Sequence, residues 1–232
     1  MFSLANILTV LNLFCGCLAI LQVTQNKPSW ALALMGLSLV FDFLDGFVAR
    51  WMKQESEIGI QLDSLADVVS FGLLPGVMMY SLMTENLSTH GLANEFSYLG
   101  FLLTCFAAFR LARFNVEADG KIKNFQGLPV PAMAIFISGI YGSYYLQTIP
   151  YSYIYHPINI LLFIILLSYL MLSRISILKV VLNKQFLFTN WILIIAYVSC
   201  IVLICFSNFI FLSILIVIHI AFSQFETLFK KI

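Results

Sequence analysis

Four of the five aspartates in this 232-residue chain, Asp42, Asp45, Asp63 and Asp67, fall within 26 residues of otherwise apolar sequence. Converging carboxylates raise one another's proton affinity, so they need compensation to stay ionised together. Hard divalent cations supply it, and all-oxygen ligation suits magnesium, calcium or manganese. Two cations shared among four carboxylates would form a clamp for a phosphate group. The spacing says how the four could meet. Asp42, Asp45, Gly46, Ala49 and Arg50 stand at i, i+3, i+4, i+7 and i+8, one stripe of a helix. Gly59, Asp63 and Asp67 step by four along one face of a second helix. Antiparallel packing across the short 51–58 connection would bring all four carboxylates to one end of the pair. Gly46 and Ala49 leave room on the stripe for a flat or bulky group, although small residues also serve packing between membrane helices.

The elements that hold these residues are set by composition. The chain is 61% hydrophobic and 10% charged, with a mean hydropathy of +0.98. A soluble domain carries about 25% charged residues. Soluble, disordered and disulfide-stapled classes are therefore excluded, and an all-α polytopic membrane bundle is expected. A carboxylate in such a helix costs roughly 2.5–3.5 kcal/mol even on a lenient insertion scale, so intramembrane acids mark function. Spans are expected near 7–24, 29–51, 59–83, 96–114, 129–148 and 157–173. The apolar stretch 187–226 is too long for one crossing and breaks at Ser207-Asn208, which makes eight helices in all. Residues 1–186 form the core domain in this reading, and 187–232 add two helices packed on the same bundle. The opening segment has no basic residue before it and is expected to be a retained helix rather than a signal peptide.

Basic residues alternate by connection. Lys27 stands alone on one side, while Arg50, Lys53, Arg110, Arg113, Lys121, Lys123, Arg174, Lys179, Lys184, Lys230 and Lys231 fall on the other. The positive-inside rule then puts both termini and the aspartate-bearing ends in the cytoplasm. Five cysteines (Cys15, Cys17, Cys105, Cys200, Cys205) lie in apolar runs without a Cys-x-x-Cys pair, as small buried hydrophobes do. His90, His156 and His219 lie away from the aspartates in this topology. Tyr144, Tyr145, Tyr151, Tyr153 and Tyr155 mark an outer aromatic rim. No phosphate-binding loop of the P-loop type and no nucleic-acid footprint is present.

The run Asp42-Phe-Leu-Asp45-Gly46-Phe-Val-Ala49-Arg50, then Gly59, Asp63 and Asp67 at their spacings, resembles the signature of the CDP-alcohol phosphotransferases. Three further stretches are similar to the membrane-integral phosphatidylserine synthase branch of that family. They are Asn6-Ile-Leu-Thr9-Val-Leu-Asn12-Leu-Phe-Cys-Gly16, Ser64-Leu-Ala-Asp67-Val-Val-Ser70-Phe-Gly72-Leu-Leu-Pro75, and Arg110-Leu-Ala-Arg113-Phe-Asn115 with Phe125-Gln-Gly127-Leu-Pro129-Val-Pro131-Ala132. The likeness covers the first two-thirds of the chain. It implies a six-helix family core and transfer of a phosphatidyl group from CDP-diacylglycerol to L-serine, releasing CMP. It also implies Mg2+ or Mn2+, two per site, on Asp42, Asp45, Asp63 and Asp67, with Asp67 doubling as general base. The same resemblance assigns CDP-diacylglycerol to Asn6, Thr9, Gly46, Ala49, Arg50, Ser56 and Ser64.

Arg110 and Arg113, at the inner end of the 96–114 span, offer a bidentate fork for a carboxylate or a phosphate. With Asn115 they are the expected serine-binding residues; the bland alternative is a membrane-surface anchor. The 127–131 stretch is expected to shape the entry of the next helix, with lining of the acceptor pocket as the alternative. Expected partners are CDP-diacylglycerol, L-serine, membrane lipids and, as a candidate, a second copy of the chain. The expected location is the inner cell membrane, with the site facing the cytoplasm. Two other readings stay open from the residues. One is the same chemistry on glycerol 3-phosphate or an inositol (phosphate); the other is a cation transporter using the four aspartates as an ion site.

Overall fold

The computed structural model describes residues 3–53, 56–89, 94–118, 127–146, 153–175, 199 and 208–229. All regular elements among them are helical, and no strand occurs among the described residues. Helix α1 is Leu4–Thr24, α2 Pro28–Trp51, α3 Glu57–Asp67 and α4 Leu74–Thr89. A π-helical turn, Val68–Leu73, joins α3 to α4 into one rod. A 3-10 segment, Asn94–Phe101, leads into α5, Leu102–Ala118, followed by α6 Val130–Tyr145, α7 Pro157–Leu172 and α8 Ile210–Phe229. Four helical stretches, Leu4–Thr24, Pro28–Trp51, Glu57–Leu87 and Glu95–Glu117, are long and apolar enough to cross a membrane. The chain is accordingly read as a membrane helical bundle.

Helix ends follow local chemistry. Ser3 caps α1 by accepting from the Asn6 amide, and Ser56 caps α3 by accepting from the Gly59 amide. Pro28 and Pro157 occupy first turns, where no amide hydrogen is missed. The turn between α1 and α2 passes through Asn26 at φ 54°, a conformation asparagine tolerates better than most residues. The interior is packed with Met35, Phe71, Leu74, Met78, Met79, Leu82, Leu103, Met133, Ile137 and Tyr141, all at most 2% exposed. Outward positions are equally apolar: Phe14, Trp30, Phe43, Phe109 and Tyr169 are more than half exposed. A surface of that kind is stable only where lipid, not water, is the solvent.

Two local features position the site. The π turn directly follows Asp67 and is held from both sides. Gly16 of α1 lies so close that a β-carbon there would meet Ser70 Cα at 2.9 Å, and Thr104 of α5 donates to the Gly72 carbonyl at 3.1 Å. The entry to α6 is the second. Gly127 adopts φ +79°, its amide donates to Ile175 O at 2.9 Å, and Leu128 N donates to Leu170 O at 2.9 Å. A β-carbon on Gly127 would fall 2.4 Å from the Met171 carbonyl oxygen, so the Gly-Leu-Pro segment is bound to the end of α7.

The expected spans coincide with these elements through 157–173, with 59–83 extended at both ends and 129–148 ending at Tyr145. Helix α8 begins at Ile210, just past the expected Ser207-Asn208 break, of which Ser207 lies outside the described residues. Most of the preceding half of that stretch, and Lys121, Lys123, Lys179 and Lys184, lie outside the described residues. Helix α8 packs on α6, where Ser213 donates to the Phe136 carbonyl at 2.6 Å and Gly139 admits the contact.

Candidate active site

Helices α2 and α3 each pack on α1, and their acidic stripes meet beside it rather than through direct packing of α2 on α3. Oxygens of Asp42, Asp63 and Asp67 lie within 4.8 Å of one another. Asp42 and Asp67 are close enough to share a hydrogen bond, an approach two carboxyl groups tolerate only with a proton or a cation between them. Three oxygens spaced in this way leave a point within about 2.8 Å of each, near the roughly 2.3–2.6 Å of calcium–oxygen bonds and a small side-chain movement from the roughly 2.0–2.1 Å of magnesium. The donor set fits a hard divalent cation.

Asp45 stands slightly apart. Its Oδ2 accepts from Thr9 Oγ1 at 2.7 Å, so the carboxylate turns toward α1 while remaining in the electrostatic field of Asp42 and Asp63. Three aspartates are thus clustered and the fourth is tethered beside them. The tether is a hydroxyl that the aspartate spacing does not reveal.

A cavity of about 260 Å³ opens next to this cluster. Asn6 and Thr9 line it from α1, Gly46, Ala49 and Arg50 from α2, and Ser56, Gly59 and Asp63 from the start of α3. The Arg50 guanidinium folds back over Gly46, where a β-carbon would come within 3.3 Å of Nη1. Every residue expected to bind the nucleotide lines this cavity except Ser64. Ser64 instead pairs with Asn115, whose Nδ2 donates to Ser64 Oγ at 2.9 Å and reaches Gln61 Oε1 at 3.4 Å. One residue past Asp63, Ser64 points about 100° away around the helix and meets α5 rather than the cavity.

The two arginines also part company. Arg113 Nε donates to Glu117 at 2.7 Å and Nη1 donates to the Leu172 carbonyl at 3.2 Å, which ties α5 to the end of α7. Arg110 is 7% exposed and lies in the field of Asp67. Of the expected fork, Arg110 faces the aspartates, while Arg113 and Asn115 are engaged in holding α5 to its neighbours. His156 accepts from the Ile158 amide at the start of α7 and His219 is buried in α8; His90 lies outside the described residues.

Asn12 has no role in the sequence reading beyond its place in a motif. It is fully buried, and its Nδ2 donates to Asp67 Oδ1 at 3.4 Å. Ser38 donates to its carbonyl at 3.0 Å and also to its Oδ1, and Ser70 donates to the same carbonyl at 3.1 Å. With Oδ1 occupied by a hydroxyl, the amide nitrogen is directed to Asp67. The available signal was the three-residue step Asn6, Thr9, Asn12 of polar residues along an apolar helix. Asn12→Ala should lower kcat about tenfold, through loss of one hydrogen bond to a charged group. Asn12→Gln should not restore the rate. A variant with a lowered melting temperature but unchanged kcat would assign Asn12 to packing alone.

The family model described as CDP-alcohol phosphatidyltransferase matches residues 2–202. The chain is 35% identical over 138 residues to a Helicobacter pylori protein named CDP-diacylglycerol–serine O-phosphatidyltransferase, covering 59% of this chain and 56% of that one. It is 34% identical over 166 residues to the archaetidylserine synthase of Methanothermobacter thermautotrophicus, covering 69% and 66%. A Bacillus subtilis protein, also named CDP-diacylglycerol–serine O-phosphatidyltransferase, is 32% identical over 171 residues, or 73% and 86% of the two chains. The match thus spans little more than half of the first relative's length and just under two-thirds of the second's.

Proposed function

The chain belongs to the CDP-alcohol phosphatidyltransferase family, and from that premise we propose that it transfers a phosphatidyl group from CDP-diacylglycerol to L-serine. The products are phosphatidylserine and CMP. The observation that carries this reading is the cluster of Asp42, Asp63 and Asp67 at the wall of a cavity lined by Gly46, Ala49 and Arg50. A transporter would favour carboxylates at mid-membrane on broken helices. Here the acids gather at one end of the bundle, beside an arginine and a space for a nucleotide. The names of the relatives favour serine over other alcohols as acceptor.

In this mechanism the cytidine and its phosphates occupy the cavity, with Arg50 toward the phosphates and Asn6 and Thr9 bounding the pocket from α1. Asp42, Asp63 and Asp67, with Asp45 beside them, would hold two Mg2+ or Mn2+ ions. When bound, the ions supply neutralisation of the pyrophosphate charge. Asp67 takes the proton from the serine hydroxyl as the serine oxygen bonds to the phosphorus on the diacylglycerol side. The bond from that phosphorus to the bridging oxygen breaks, and the electron pair leaves with CMP. Asn12 keeps Asp67 oriented. Arg110, buried beside Asp67, is the group that receives the serine carboxylate; Arg113 and Asn115 support α5 behind it.

The reading extends to topology. Eight crossings, with both termini and the aspartate site on the cytoplasmic side of the cell membrane, agree with the basic residues gathered on one side. Residues 1–186 are the core and 187–232 an added helical pair. Purified protein incubated with CDP-diacylglycerol and a panel of serine, glycerol 3-phosphate, inositol and inositol phosphate tests the acceptor directly. CMP release with serine at least tenfold above every other alcohol is expected. Preferential release with another alcohol would transfer the reading to that acceptor.

A further inference from the structure

A second cavity, of about 730 Å³, opens at the other end of the bundle. It is lined by Val23, Thr24 and Asn26 at the α1–α2 turn, by Val77, Tyr80, Ser81, Thr84 and Glu85 of α4, and by Tyr145 at the end of α6. The aspartate-site cavity begins at Ala5 of α1, whereas this one begins at Val23. Eighteen residues of helix separate them by about 27 Å, close to the roughly 30 Å of a bilayer's hydrocarbon. The two cavities therefore open at opposite ends of α1.

Its chemistry is that of an anion surrounded by aromatic rings. The Tyr144 and Tyr145 hydroxyls lie beside the Glu85 carboxylate, within its electrostatic field. Tyr145 Oη is 2.7 Å from Ser81 Oγ. Behind it the Tyr141 ring packs at 4.6 Å from Tyr145, and the Tyr144 ring meets Tyr145 at 5.0 Å and Tyr155 at 4.9 Å. Tyr80 forms another wall, stacked on Tyr98 and Phe101. The Tyr141 hydroxyl is buried in this cluster with no hydrogen-bond partner among the described residues.

Glu85 is exposed at the cavity, and among the described residues no lysine or arginine forms an ion pair with it. The nearest basic residue in the lining sequence, Lys27, has its ammonium on Gln25 Oε1 at 3.0 Å. Among the described residues that line the cavity there is no cation for a phosphate or carboxylate ligand. A divalent metal would find one carboxylate where six or more oxygen ligands are wanted. A carboxylate with spare acceptor sites, tyrosine faces and an apolar wall of Val23 and Val77 suits an organic ammonium, through charge pairing and cation–π contact.

We propose that this cavity binds an alkylammonium group, such as the head of an aminophospholipid or a free amine of the same chemistry, on the membrane face opposite the aspartates. The test uses the full chain in phosphatidylglycerol–detergent micelles and reads the thermal unfolding midpoint. One arm titrates ethanolamine and choline; the other titrates phosphatidylethanolamine, with N-acetylated phosphatidylethanolamine as the uncharged control. A saturable rise in midpoint with the charged ligands is expected, and a response in the lipid arm alone identifies a headgroup as the source. Glu85→Gln should weaken the apparent affinity at least about tenfold. Tyr145→Phe, which keeps the ring and loses the hydroxyl beside Glu85, should weaken it about threefold. Both variants should release CMP at wild-type rates, because neither residue is near the aspartates. An equal response to the acetylated lipid, no saturable response in either arm, or wild-type titrations in both variants would overturn the proposal.

Discussion

Asp67→Asn is expected to reduce CMP release by about 100- to 10,000-fold, the range associated with removing a general base. Asparagine keeps the size of the side chain and its bond from Asn12, so the fold and the cavity persist. CDP-diacylglycerol binding should change by less than the rate does, because the cavity is lined by Asn6, Thr9, Gly46, Ala49, Arg50 and Ser56 and not by Asp67. Measurement at saturating divalent metal separates the two duties of the residue. If saturation restores the wild-type rate, Asp67 is a ligand only and the proton leaves by another route. Asp42→Asn serves as the comparison: with only a ligand role proposed for Asp42, added metal should recover much of its activity.

Arg110→Gln is expected to lower kcat/KM for serine by about 30- to 1,000-fold, as truncating one partner of a buried charge pair does. The KM for CDP-diacylglycerol should stay within about threefold. Arg110→Lys keeps the charge and loses the fork, so it should recover part of the loss. Arg113→Lys should change serine kinetics little, since Arg113 already serves Glu117 and the Leu172 carbonyl. A rise in the CDP-diacylglycerol KM with serine kinetics intact would make Arg110 a lipid-phosphate ligand. The acceptor pocket would then have to be sought elsewhere around Asp67.

The distribution of these roles shows where reading along the chain stops. Asp42, Asp45, Gly46, Ala49 and Arg50 were legible because helical periodicity is local: residues three and four apart share a face whatever the helix packs against. The i, i+4 step of Gly59, Asp63 and Asp67 is legible for the same reason. Joined by a short connection, two such stripes had few ways to meet. Thr9 with Asp45 and Asn12 with Asp67 are different, being 36 and 55 residues apart. Their pairing depends on the rotation of α1 about its own axis.

What the sequence alone determined is therefore the lipid environment, the helical class and the two acidic stripes, all of which follow from composition and a 3.6-residue repeat. Tertiary structure decided which polar neighbour meets each stripe. Arg110 and Arg113 are three residues apart and nearly equivalent on paper, yet about 60° of helix rotation separates them. Packing of α5 against the π turn, through Thr104 on the Gly72 carbonyl, turns Arg110 inward and sends Arg113 to α7. Ser64 was likewise assigned to the cavity by the family resemblance, and the same packing gives it to Asn115. The tyrosines at 144 and 145 were legible as an interfacial belt, but their convergence on Glu85 was not. Periodicity states which residues share a face; only the packed bundle states what that face touches, because the angle of each helix is set by side chains on its neighbours.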